Sequence, residues 1–307
     1  MTQTVAPTPA AAGTALPATA PSPSPFRRRR IRQGLGLGHA ASGVLAWVYA
    51  AMLVVPFYYF IVSSFKSNDE IFADPLGLPS SWSLDNFTTA IDSADLDLAI
   101  VNSVLVTGGG LLLTLFLAVP ASFALARTTG RAGRVMERLF AMGFLIPTFA
   151  ALFPTFLLAA TLGLFHTRTF LIFLLPATAM PLSVVILTQF MRTIPRELEE
   201  AASMDGATPL TVLRHVYLPI CVPGIATVVL LNFLSFWNEY LFSLIIIGPD
   251  PAQRTIQVAL PTLRLDTGTD YGVLMAATLV TLLPVYLVYT LLQRQMQRAL
   301  LSGAVKG

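Results

Sequence analysis

The chain has 307 residues, of which 55% are apolar and only 11% charged, with a formal net charge of +3. Ordinary soluble domains carry about a quarter charged residues, so this chain cannot clothe a water-facing globule, and an all-α membrane protein is expected. A hydrocarbon core of about 30 Å needs spans of about 20 apolar residues, and lipid requires each span to close its own backbone hydrogen bonds as a helix. The lone cysteine, Cys221, excludes an internal disulfide and a cysteine-based zinc site, and it reads as a buried structural thiol.

In chain order, residues 1–25 are rich in Ala, Pro, Thr and Ser, and Arg27, Arg28, Arg29, Arg30 and Arg32 follow. Residues 1–38 are expected to be a disordered basic cytoplasmic tail. The arginine cluster ahead of an apolar run imitates a signal peptide. The run is longer than the usual signal core of about 7–15 residues and has no clear small-x-small site, so it is read as an uncleaved span. Six spans are predicted within residues 39–293, at 41–63, 99–125, 139–163, 169–191, 218–247 and 272–292. The second and fifth are long enough to tilt or to pass beyond the lipid.

Between the first two spans lies a segment, 66–98, with seven acidic residues, broken by Pro75, Gly77 and Pro79. It reads as a small external cap of short amphipathic helices, with Trp82 and Phe87 at the interface. Gly108, Gly109 and Gly110 fall inside an apolar span and lack the lysine of a phosphate loop; close helix packing is their reading. Pro56, Pro120, Pro147, Pro154, Pro176, Pro181 and Pro284 sit within spans, where neighbouring groups re-satisfy the backbone. Each is read as a packing feature.

The basic residues give the orientation. Fifteen of the nineteen Lys and Arg lie before span one, between spans two and three, between spans four and five, or after span six. Only Lys66, Arg168, Arg254 and Arg264 lie on the other side. Both termini, the loop 192–217 and the tail 294–307 are therefore expected in the cytoplasm, in a multi-pass membrane protein. Nucleic-acid binding is not indicated by so patterned an excess.

The loop 192–217 reads as two short helices about a bend. Pro195 suits a first turn, and Glu197, Glu199 and Glu200 suit the positive end of the dipole. Gly206 stands where a left-handed C-terminal residue is expected; Thr208 caps a second helix with Pro209 in its first turn. Leu198, Ala201 and Ala202 share one face, and Leu210, Leu213 and Tyr217 form an apolar stripe.

Glu200-Ala201-Ala202, then Gly206 after three residues, then Val216-Tyr217-Leu218-Pro219 after nine more, resemble the EAA motif of ATP-binding-cassette importer permeases, with Val216 where isoleucine is usual. Further stretches resemble the carbohydrate-uptake branch, in particular the maltose-type (MalG-like) permeases. They are Pro56 to Lys66 with Glu70-Ile71-Phe72, Asn102-Ser103, Phe236-Trp237-Asn238-Glu239-Tyr240 and Gly303-Ala304-Val305-Lys306-Gly307. The resemblance covers residue 40 to the end and implies a type I importer permease (MetI-like) fold in a bacterial or archaeal cell membrane. It also implies a second permease, two ATPase subunits that bind ATP and Mg, an external solute-binding protein and a sugar as solute, with no cofactor in this chain. By the same resemblance Glu200, Ala201, Ala202, Asp205, Gly206, Leu210 and Leu213 are the ATPase-coupling residues.

Within span five, Asn232, Ser235, Trp237, Asn238 and Glu239 are polar or amphipathic. A carboxylate in lipid is costly, so these residues either line a hydrated sugar pathway or bond between helices. His39, His166 and His215 lack metal-ligand spacing, and no serine sits in a G-x-S-x-G elbow. The competing function is a secondary transporter driven by an ion gradient. That class uses midplane acidic groups and repeated halves, and here Glu239 is the one firm acidic candidate.

Overall fold

The computed structural model describes Thr2 and residues 37–265 and 268–304. Most of the tail expected over 1–38, and residues 305–307, lie outside the described residues. The chain divides into two units, Met1–Met52 and Leu53–Gly307. In the first, helix α1 (Leu37–Ser63) begins, and residues 42–52 bury no side chain. Val44, Leu45, Trp47 and Met52 are all exposed, the apolar surface of a helix solvated by something other than water.

The second unit continues α1 and adds α2 (Asn68–Ala73), α3 (Asp85–Ser93), α4 (Leu96–Arg127), α5 (Arg131–Met142), α6 (Thr148–Thr161) and α7 (Arg168–Arg192). Then come α8 (Arg196–Met204), α9 (Pro209–Val212), α10 (Leu218–Trp237), α11 (Ile256–Ala259) and α12 (Tyr271–Ala304). Among the described residues, the departure from an all-α fold is a two-residue antiparallel pair, Arg264–Leu265 with Gly268–Thr269. Five helical stretches among the described residues are long and apolar enough to span a bilayer: Ser42–Ser63, Leu96–Arg127, Arg168–Arg192, Pro209–Trp237 and Tyr271–Gln297. A sixth span exists if the bent pair Arg131–Leu145 and Thr148–Thr161 is counted as one.

That pair corrects the reading of 139–163 as one helix with Pro147 as a packing feature. Its two arms meet at 95°. Pro147 has no N–H to donate and disfavours helical backbone in the residue before it; Ile146 is accordingly extended, with φ −79° and ψ 110°. Gly143 lets the first arm touch α7, because a Cβ there would overlap the Pro181 ring.

The span predicted over 218–247 is corrected at both ends. It starts at Pro209, because α9 runs into α10 through a π-helical turn, Leu213–Tyr217. Pro219 cannot donate to the carbonyl of His215, and the ladder widens there, with the Leu218 N–H reaching Leu213 O. It stops at Trp237, where the Asn238 amide donates to Leu234 O at 2.8 Å. A separate π-helical piece, Ser243–Ile247, follows.

The bundle is centred on α4 and α7, which pack along their lengths and are joined by α10. Of the three glycines in α4, Gly109 lies against Ile172, and Gly110 against Phe236 and Leu175. Close backbone approach of this kind supplies the van der Waals packing on which helix association in lipid depends. Ser122 donates to Val184 O, tying α4 to α7. Cys221 is buried in the cluster formed by Phe123, Val184, Leu187, Val212, Leu213 and Tyr217.

At the end opposite α8, three cations of the sparse side, Lys66, Arg168 and Arg254, are structural. Lys66 is buried and donates to Asp74 O at 2.7 Å. Arg254, also buried, donates to Ala94 O at 2.8 Å and to Asp95 at 3.2 Å. Arg168 donates to Asn102, whose amide donates in turn to Ala252 O and Arg254 O. Trp82 and Phe87, expected at an interface, both pack on Phe65, with centroids 5.0 and 5.3 Å away. At the other chain end α12 continues without a break from the last span through residues 294–304 of the expected tail.

Candidate functional site

The loop 192–217 folds as two helical pieces about a left-handed bend. Gly206 has φ +82°. Its N–H donates to Ser203 O at 3.0 Å, and the Ala207 N–H donates to Ala202 O at 3.0 Å. This double closure is a Schellman motif, which satisfies carbonyls that the end of α8 would otherwise leave open. Thr208 then accepts from the Thr211 N–H at 3.3 Å with Pro209 in the first turn of α9, as an N-cap followed by proline should.

The outward surface of this bend is apolar at its tip. Leu198 is 45% exposed, Met204 88% and Leu210 72%. Glu200, Ala201 and Asp205 are exposed beside them. The stripe expected from Leu210, Leu213 and Tyr217 is divided: Leu213 and Tyr217 are buried in the core, and Leu210 alone points out. Ala202 likewise packs inward with Ala207 against that core, while Leu198 and Ala201 face out. The division follows from α9 continuing as a membrane helix, whose inner face must join the bundle.

Behind α8, Glu199 turns inward. It pairs with Arg127 at the end of α4 and accepts from the Tyr217 hydroxyl at 3.0 Å. The Arg127 guanidinium lies 4.7 Å over the Phe123 ring, and Tyr217 meets the same ring edge-on at 4.9 Å. A cleft of about 500 Å³ adjoins this group, lined also by Arg192, Arg196 and Glu200. Arg192 makes a bidentate bond to Glu137 at 3.0 and 2.9 Å, holding α5 to the end of α7. Sequence reasoning singles out neither Arg127 nor Met204, and it gives Glu199 no role beyond the helix dipole. Arg127 and Glu199 are far apart in sequence, and nothing local announces their pairing.

The residues expected along a pathway separate into two sets. Asn232 is buried and donates to Ser183 Oγ at 2.8 Å. Trp237 is buried, donates to Thr281 O at 3.1 Å and stacks on Phe233. Glu239 lies beyond the end of α10, where its carboxylate accepts from the N–H groups of Phe242 and Ser243, each at 2.9 Å, and restarts the helix. It does not stand inside a span, contrary to the sequence expectation. Ser235 and Asn238 are exposed, and Asn238 accepts from Gln257 at 3.4 Å.

Residues 87–302 match the model of the family described as binding-protein-dependent transport system inner membrane component. The chain belongs to that family. It is a permease of the ATP-binding-cassette importer kind, and the ion-gradient alternative is set aside. This permease is 32% identical over 268 residues to the diacetylchitobiose uptake system permease protein NgcG of Streptomyces coelicolor, covering 87% of this chain and 89% of that one. It is 29% identical to the melibiose/raffinose/stachyose import permease protein MelC of Bacillus subtilis, covering 86% and 95%. A bacterial ABC transporter involved in the import of the acidic polysaccharide alginate contains a chain of the same fold, with a TM-score of 0.73 at 23% identity over 88% of this permease and 99% of that chain.

Proposed function

We propose that this permease forms half of the translocation pathway of a carbohydrate importer. A second, different permease forms the other half, two ATPase subunits bind ATP and Mg, and an external binding protein delivers the solute. The single observation that carries this reading is the bend at Gly206. Its outward tip offers Leu198, Met204 and Leu210 to a partner, directly beside Glu200 and Ala201 of the EAA-like run. Three exposed apolar side chains grouped at the tip of a charged loop support an interaction surface there. The basic residues flanking this loop support a cytoplasmic position for it and for both termini.

The names of the relatives support a sugar as solute, and their range supports an oligosaccharide or a related glycoside. The pathway runs along the exposed part of α10 near Ser235 and Asn238, while Asn232 and Trp237 hold that helix in place. Reconstitution tests the whole reading. The isolated permease hydrolyses no ATP; with its cognate partners in proteoliposomes, hydrolysis rises when the loaded binding protein is added. ATP turnover by the pure chain, or partners whose hydrolysis ignores the binding protein, would overturn it.

A further inference from the structure

The adjacent glutamates of α8 both border the cleft but differ in their partners. Glu200 is exposed and makes no hydrogen bond or ion pair among the described residues. The Glu199 side chain is 16% exposed, and its two oxygens are used separately, Oε1 by Arg127 and Oε2 by Tyr217. Arg127 ends α4, and Tyr217 stands at the root of α10. Both rest on the Phe123 ring. Among the described residues, Glu199 makes the only side-chain polar bonds between α8 and the spans. The apolar attachment of α8 consists of Ala202 and is correspondingly small.

The two spans differ in how a displacement of α8 can reach them. The backbone carries it to α10, since Gly206 leads through α9 directly into that helix. No such short covalent route leads to α4, which precedes α8 by two further helical spans in the chain. For α4 the Glu199–Arg127 pair is the direct connection. A charge-assisted bond is about twice as strong as a neutral one, and this pair is sheltered by Phe123 and Tyr217. Arg196 and Arg192 also face the cleft, but Arg192 is engaged by Glu137.

We infer that Glu199 is a positioning residue for energy coupling, which makes α4 follow α8 when the ATPase displaces it. The inference rests on the reading of the 192–217 loop as the ATPase contact. Its test uses the complete importer in proteoliposomes, with solute uptake and ATP hydrolysis measured on the same vesicles and ATPase content measured by capture. In Glu199→Gln the ATPase stays bound, and solute moved per ATP falls on the order of fivefold or more, the lower end of ordinary coupling between sites. Arg127→Glu has the same effect. The exchange of Glu199→Arg with Arg127→Glu recovers most of the loss, which a merely structural defect would not do.

An unchanged ratio in Glu199→Gln, loss of the ATPase from that complex, or an exchange variant no better than the single ones would overturn the inference. Should a single variant fail to accumulate in the membrane, the exchange variant and Tyr217→Phe decide. A smaller drop in solute per ATP is expected for Tyr217→Phe, and a wild-type ratio in Tyr217→Phe together with an uncoupled exchange variant overturns the proposal. Wild-type vesicles without binding-protein-stimulated hydrolysis would overturn the proposed function itself; every other outcome bears on Glu199 alone.

Discussion

Replacing Gly206 tests whether the bend is held by backbone conformation. At φ +82° an added Cβ would meet no atom within 4 Å, so the cost of a side chain is that of the left-handed region alone. That cost is about 1–2 kcal/mol for an ordinary residue, a factor of about 5–30 in the population of the bend. Asparagine visits this region readily, and a β-branched residue is least tolerated there. The expected order of ATPase capture and of uptake is therefore glycine, then Gly206→Asn, then Gly206→Ala, then Gly206→Val. The assay is capture of the ATPase by each detergent-solubilised variant, followed by uptake in vesicles. Equal loss for Gly206→Asn and Gly206→Val would refute the conformational reasoning and point to bulk at the partner surface. Wild-type behaviour of Gly206→Val would remove the bend from the coupling scheme.

Orientation is checked by Ser203→Cys and Ser81→Cys in a background lacking Cys221. In intact cells an impermeant thiol reagent labels the second and spares the first, and the reverse pattern refutes the topology. Asn232→Ala removes a buried bond to Ser183, and such bonds between helices in membranes contribute about 0.6–1.7 kcal/mol; adding Ser183→Ala costs little more, as unfolding in mixed micelles would reveal. At the far end, hydrogen bonds from Ser80, chiefly, hold the Glu70 carboxyl below its ordinary value of 4.5. Its contribution to the order of α2 is therefore complete at neutral pH, persists below 4.5, and fades as pH falls through the lowered value. Limited proteolysis of residues 74–84 against pH reads this, and Glu70→Gln abolishes the dependence.

The spans are legible because lipid demands unbroken apolar length, and the bend at Gly206 because its signals are local: Pro195 before it, a glycine at the end of α8, then Thr208 and Pro209. What the sequence withholds depends on distant partners. Pro147 is visible, but the size of the bend there also depends on Gly143 reaching Pro181. Tyr217 reads as one more apolar residue of a stripe, since its hydroxyl finds Glu199 only after α8 folds back. Glu239 reads as a charge in lipid because nothing nearby in sequence tells that α10 ends at Trp237 and that a carboxylate is needed to begin the next turn.

Two of the contacts between α7 and α10 fix those helices against each other at separate heights. A Cβ on Gly224 would come within 2.6 Å of the Phe190 ring, and Asn232 bonds to Ser183. Eight residues of α10 separate the two points, about 12 Å along its axis. A pair riveted twice can neither slide nor swivel without breaking one rivet. Those two helices, α7 and α10, thus form a plate. A plate moves as one piece, so a displacement that enters α10 from the loop is expected to carry α7 with it.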